Sequence, residues 1–226
     1  MEDDFIFWEH TLPVGIKIEE ISGKDNISQK LWLQMAYQIF GEYGKENYRN
    51  LLHFDNGAPF INGIPQRISI THTSHFLAVA FIPITPESDL TSFNPQTALG
   101  IDAEKINREQ VLKIREKFLS DNELKNFDAE DVKANIMAWT AKEAVYKAAF
   151  QPGLDYKNKI IIHSLPELEN STAKKFSKLG KAILTREENG QETSYDILLY
   201  SYESEGNCVT VAFTPSTALF KHAPFK

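Results

Sequence analysis

The stretch Ala138-Trp139-Thr140-Ala141-Lys142-Glu143-Ala144-Val145-Tyr146-Lys147-Ala148-Ala149 constrains the fold more than any other part of the chain. It contains no Gly or Pro and is rich in Ala, so its intrinsic propensity is strongly helical. At 3.6 residues per turn, Trp139, Glu143 and Lys147 recur along one side. Trp139, Val145 and Tyr146 sit among the charges, so the helix is expected to be partly buried. Charged side chains on such a helix need a counter-charge, a metal or a ligand. Function is therefore sought here.

The rest of the chain supplies the surroundings. Val14 to Glu20 alternates apolar and polar residues and reads as a strand, followed by a helix through Leu31, Trp32, Met35, Ile39 and Phe40. Asp55-Asn56-Gly57-Ala58-Pro59 is a loop with strong turn chemistry. The runs 67–72 and 76–82, joined by Thr73-Ser74-His75, make a hairpin. The Pro-, Ser- and Thr-rich segment 83–97 reads as a linker. It places a boundary between an N-terminal half, 1–97, and a C-terminal half, 98–226.

The second half opens with a strand, 98–104. Asn107 is expected to cap a helix reaching Phe118, and Ser120 with Glu123 forms a capping-box pattern. The main helix covers 130–149 and stops before Pro152-Gly153. Strands are expected near 159–163, 181–186, 194–201 and 207–213. Both halves end a strand pair in Val-Ala-Phe, at 79–81 and 211–213. The fold expected is α+β, with two similar halves related by a pseudo-two-fold axis and the active site at their interface.

Composition excludes several functions. The net charge is −7, from 24 basic and 31 acidic residues, which argues against a nucleic-acid binder. The segment Lys105–Lys117 is locally basic, and reads either as a solvated helix face or as a docking patch for an acidic partner. A single cysteine, Cys208, lies in an apolar run. It permits neither an intrachain disulfide nor a thiol zinc site, and reads as a buried structural thiol. The N-terminus has no signal-peptide pattern and no run suits a bilayer span, so a cytoplasmic protein without membrane contact is expected.

Asp102 and Glu104, two apart on a strand, point to one face. Two like charges there fit a solvated rim or a bound cation. With Glu143 as a third oxygen ligand and Lys147 one turn on to neutralise phosphate, the pattern fits a magnesium–pyrophosphate site. His72, at a strand end, is either an ordinary turn residue or a hydrogen-bond donor to phosphate. No Gly-rich phosphate loop, paired-histidine zinc motif or nucleophile elbow is present. Trp139 and Tyr146 read as core rather than as stacking surfaces for a ligand.

The set Gly100-Ile101-Asp102-x-Glu104, followed by Phe118-Leu119-Ser120-x-x-Glu123 and Trp139-Thr140-x-Lys142-Glu143-Ala144-x-x-Lys147, with Ser69-Ile70-Thr71-His72 upstream, resembles the 4′-phosphopantetheinyl transferases. The likeness is to the long pseudo-dimeric branch that activates surfactin synthetase and similar megasynthases. It implies transfer of the phosphopantetheine arm of coenzyme A to a serine of an apo acyl or peptidyl carrier protein, releasing 3′,5′-ADP, by a monomer. It further implies Mg²⁺ held by Asp102, Glu104 and Glu143, with Glu143 helping to deprotonate the serine. Lys147 would balance pyrophosphate charge, and Thr71, His72 and Lys142 would contact coenzyme A. The basic 105–117 segment would then meet an acidic carrier. The chain departs from the family's usual pattern in carrying Ala58 in place of Lys, few cations in the first helix, and Thr71 where Ser is commoner. Two other readings use the same residues: a non-catalytic paralogue that binds the carrier or coenzyme A, and a magnesium-dependent hydrolase of pyrophosphate-linked nucleotides.

Overall fold

The computed structural model describes residues 6–11, 51–61, 66–73, 76–83, 91–170 and 179–217. The strand expected at 14–20, the helix at 31–40 and residues 84–90 of the linker lie outside the described residues. Strands β1 (Ile6–Thr11), β4 (Gln66–His72) and β5 (Phe76–Pro83) form an antiparallel sheet in the order β1-β5-β4. A small hairpin pairs β2 (Leu51–His53) with β3 (Pro59–Ile61). Its turn is the segment read as a loop: Gly57 takes φ 82°, and Ala58 N–H bonds the Asn56 side chain at 3.0 Å.

The larger sheet runs β6 (Leu99–Lys105), β11 (Asn207–Phe213), β10 (Gln191–Ser204), β9 (Gly180–Glu188) and β7 (Ile160–Ser164), with β8 (Leu168–Asn170) pairing β10 off that path. Among the described residues, four helices connect its strands: α1 (Gln110–Phe118), α2 (Asp121–Asn126), α3 (Val132–Ala149) and the short α4 (Tyr156–Lys159). The fold is thus mixed α and β. The two Val-Ala-Phe triplets lie in β5 and β11, each paired on both sides.

Strand alternation gives the larger sheet two working faces. On one face, Ala212, Ile197, Leu199 and Leu184 pack beneath α3 through Ile136, Ala141, Ala144 and Val145. On the other, Leu99, Ile101 and Ala103 of β6 join Ala78, Ala80, Val211 and Tyr200 in a second core shared with the N-terminal sheet. Gly100, Asp102 and Glu104 alternate with these three, so they belong to the helix-bearing face. A Cβ on Gly100 would fall 1.9 Å from Ala144 O and 2.8 Å from Ala148 N. Glycine is what lets α3 approach β6 so closely. Gly100→Ala should cost about 2–3 kcal/mol by overpacking, read as a lower urea midpoint; an unchanged midpoint would mean that the helix does not sit there.

The helix termini are built differently from the sequence expectation. Helix α1 begins at Gln110, with Glu109 rather than Asn107 as its N-cap and no side-chain cap bond. The capping box of α2 does follow the pattern, and the Asp131 cap of α3 is new. Ser120 and Glu123 form the reciprocal capping box of α2, and α3 is capped by Asp131, whose carboxylate accepts from Ala134 N–H at 2.9 Å. Helix α3 ends at Phe150 in the left-handed region, φ 57°. That conformation disfavours a bulky residue. It is held by contacts from the N-terminal half: Asn56 Nδ2 donates to Phe150 O at 3.3 Å, and the Arg67 guanidinium lies 3.9 Å above the Phe150 ring. The helix is therefore fixed to β4 as well as to β6.

Cys208, on β11 beneath α3, is buried. Burial pushes its thiol up to about 11, against contacts with Thr140 and Thr210. The native protein at pH 8 should resist thiol alkylation and label stoichiometrically in denaturant, as followed by mass spectrometry; native labelling at a free-thiol rate would contradict the packing.

Candidate active site

The two sheets meet along β4 and β6, and the joint is made by side chains. Ile101 N–H donates to Ser69 Oγ at 3.0 Å and Ala103 N–H to Thr71 Oγ1 at 3.0 Å. The hydroxyls take the place of the carbonyls that a neighbouring strand would offer, so the buried amides of the β6 edge stay paired. Thr71 Oγ1 in turn donates to Asp102 Oδ1 at 3.1 Å.

Lys147 reaches the same joint from α3. Its ammonium donates to Asp102 Oδ1 at 2.8 Å, to Ile101 O at 2.9 Å and to Ile70 O at 3.3 Å. All three of its donors are engaged, on carbonyls from both sheets and on one carboxylate. Its side chain nevertheless keeps 29% exposure. Burial pushes the Asp102 carboxyl above the usual carboxylate range; Lys147 and Thr71 oppose this, and the charge of Glu104 adds to it.

Glu143, one turn before Lys147, is half-buried. Burial and then the charge of Asp102 push its carboxyl up, while Lys147 and a hydrogen bond from the Tyr156 hydroxyl act the other way. Tyr156 is itself pushed upward by burial and by Glu143. Its ring stacks on Tyr146 at 4.6 Å and lies 6.3 Å from Trp139, which also meets Phe118 edge-on at 5.0 Å. Trp139 is an anchor of the helix, in line with its reading as core.

Glu104 is turned toward the start of α1. Arg108 Nη1 bonds its Oε2, and Lys105 N–H donates to Oε1 at 2.8 Å. Among the described residues, no three His, Cys, Asp or Glu side chains are gathered closely enough to hold a metal ion. The expected set of Asp102, Glu104 and Glu143 is thus arranged with each carboxylate on a partner within the protein. The donor chemistry still fits a hard divalent cation. All three are carboxylates, Asp102 feels Glu104, and Glu143 feels Asp102. A cation near them relieves that repulsion.

Lys142, expected at coenzyme A, has a side chain that is 0% exposed. The ammonium bonds Glu123 Oε2 at 2.8 Å, Tyr156 O at 2.9 Å and Ile160 O. Glu123 is also the N3 residue of the α2 capping box, and its Oε1 accepts from Ile162 N–H at 2.6 Å. Next to Glu143 in sequence, Lys142 is turned about 100° from it round α3, and its ammonium is taken up by Glu123 and the two carbonyls. Thr71 likewise has its hydroxyl committed to Ala103 and Asp102. His72 is exposed at the end of β4. Sequence reasoning missed Tyr156, the tie of Arg108 to Glu104 and the second role of Glu123. The only signal was the Ser120-x-x-Glu123 pattern, which speaks of a cap and not of a buried counter-ion.

The basic segment divides in the same manner. Lys105, Arg108, Lys113 and Lys117 are exposed, with Glu109 and Glu116 among them. Arg115 instead binds Asn135 Oδ1 and Phe127 O, so it belongs to the packing of α1 on α3.

The strand with Asp102 and the helix with Glu143 and Lys147 both fall within residues 98–198, which match the 4′-phosphopantetheinyl transferase superfamily. That region is similar to the superfamily. The match begins one residue before β6 and ends within β10, so it takes in β6 and helices α1 to α4 and leaves out β11. No curated protein matches the chain significantly. No helix among the described residues is long and apolar enough to cross a membrane.

Proposed function

We propose that the protein transfers the 4′-phosphopantetheine arm of coenzyme A to a serine of an apo acyl or peptidyl carrier protein. The observation that supports this best is the convergence of Asp102, Glu143 and Lys147 where β6 meets α3, inside the region that matches the superfamily. In the transfer, the serine oxygen attacks the phosphorus that bears the pantetheine arm. The bond from that phosphorus to the bridging oxygen breaks, and 3′,5′-ADP leaves with the oxygen. Such chemistry asks the protein chiefly for positioning and charge neutralisation.

Asp102, Glu104 and Glu143 would hold Mg²⁺, which supplies neutralisation of the pyrophosphate charge. Glu143, whose carboxyl burial shifts toward the protonated form, suits a proton acceptor for the serine hydroxyl, directly or through water. Lys147 fixes Asp102 and ties both sheets at the rim of the site. His72, exposed at the end of β4, would donate to a coenzyme A phosphate. The protein is expected to work as a monomer in the cytoplasm.

Incubation with coenzyme A, Mg²⁺ and a panel of apo carrier proteins should add the mass of the arm to at least one carrier. If every carrier stays unmodified while a control transferase modifies them, the reading fails. One observation favours a binding protein without turnover: Thr71 and Lys147 are already saturated by protein partners, which leaves fewer groups for pyrophosphate. Tight carrier binding by calorimetry with no mass gain would support that second reading.

A further inference from the structure

We propose that Arg108 sets the affinity of the carboxylate site for its divalent cation, by holding Glu104 as an alternative counter-charge. This rests on the reading of Asp102, Glu104 and Glu143 as the cation's ligands. The geometry behind it is specific. Arg108 Nη1 takes Glu104 Oε2, and the Lys105 amide takes Oε1, so both oxygens face the α1 entrance rather than Asp102. The Glu104 side chain is 14% exposed whereas that of Arg108 is 53% exposed. Arg108 can therefore swing into solvent without disturbing the core, while Glu104 stays beside the joint. The backbone there is also tied down: Arg108 N–H bonds Lys105 O at 3.1 Å and Ile106 N–H bonds Gly206 O at 3.1 Å. The exchange involves side chains alone.

The three carboxylates differ in how readily they can be freed. Asp102 is held by Lys147 and Thr71 inside the joint, and Glu143 by Tyr156 within a stack of rings. Only Glu104 among the three is held by a mostly exposed partner. An ion pair with one solvated member is weak, so the exchange is reversible at ordinary cation concentrations. It makes Arg108 a positioning residue, acting on the cation through Glu104.

Mn²⁺ is titrated into the full chain with coenzyme A present, free Mn²⁺ is followed by electron paramagnetic resonance, and coenzyme A alone serves as blank. Arg108→Ala should tighten Mn²⁺ binding roughly two- to fivefold, as loss of an exposed ion pair would. Arg108→Lys should stay near wild type, since a cation remains beside Glu104. Lys105→Ala removes the same charge next door without removing a side-chain partner of Glu104, and should change binding less than Arg108→Ala. Equal tightening by Lys105→Ala and Arg108→Ala would reduce the effect to general charge and overturn the proposal, as would no change in Arg108→Ala while Asp102→Ala abolishes binding. Binding that Asp102→Ala leaves intact would instead sink the ligand assignment on which the proposal stands. Thermal melting of each variant within a few degrees of wild type keeps these outcomes separate from misfolding.

Discussion

Replacing Lys142 by methionine should destabilise the protein by roughly 3–5 kcal/mol, the usual consequence of leaving one member of a buried ion pair without its partner. Lys142 and Glu123 are 0% and 2% exposed, so no water reaches either charge to make up the loss. Burial pulls the Lys142 ammonium below the ordinary lysine range, with Glu123 opposing. The variant also strips a donor from Tyr156 O and Ile160 O, where α4 passes into β7. Glu123→Gln should be destabilising too, and the double variant Lys142→Met/Glu123→Gln should recover part of the deficit, because no lone charge is then buried. Urea midpoints at unchanged m-value report all three. Single variants costing under about 1 kcal/mol would mean that the ammonium finds solvent, contrary to its burial. A second reading of the same variant bears on function. If Lys142 is structural, the folded fraction should keep its KM for coenzyme A; a KM raised tenfold or more would restore Lys142 to the ligand site.

Lys142 also shows where sequence reading reaches its limit. The Trp139–Lys147 stretch was legible as a half-buried helix because propensity and periodicity are local, and the paired strand at 99–105 was legible from its alternation. Sequence spacing placed Glu143 and Lys147 on one side of that helix, and Lys147 meets Asp102. Spacing alone could not tell which way Lys142 faces, since a lysine on a helix flank serves a ligand or a buried carboxylate equally well. Its partner lies 19 residues upstream on another helix. The same holds for Thr71: a hydroxyl at a strand end reads as a phosphate contact until the strand beside it is known to need acceptors for its amides. The tie of Arg108 to Glu104 depends on how the chain turns after β6. Tertiary pairings of this type leave almost no local pattern.

Asp102→Asn should reduce transfer on the order of 10³-fold, the loss expected when a charge that stabilises the developing phosphate charge is removed. The substitution keeps the shape and the Oδ1 acceptor, so Thr71 Oγ1 and the Lys147 ammonium retain a partner, and Lys147 keeps Ile70 O and Ile101 O as well. What disappears is the negative charge. Two consequences separate this role from a structural one. Because burial already disfavours the ionised Asp102 carboxyl, the neutral amide is not penalised by desolvation, and melting should shift by only a few degrees. Glu143, whose carboxyl is pushed up partly by Asp102, loses that repulsion; with a folded-state value nearer the ordinary range, its ionised form becomes easier to reach. A protein that needed only Glu143 as a base would then work as well or better at mildly acid pH. A protein that needs Asp102 to hold the cation would stay inactive across the range. Carrier modification followed by mass spectrometry between pH 6 and 8 decides between them, and transfer within tenfold of wild type anywhere in that range would remove Asp102 from the machinery.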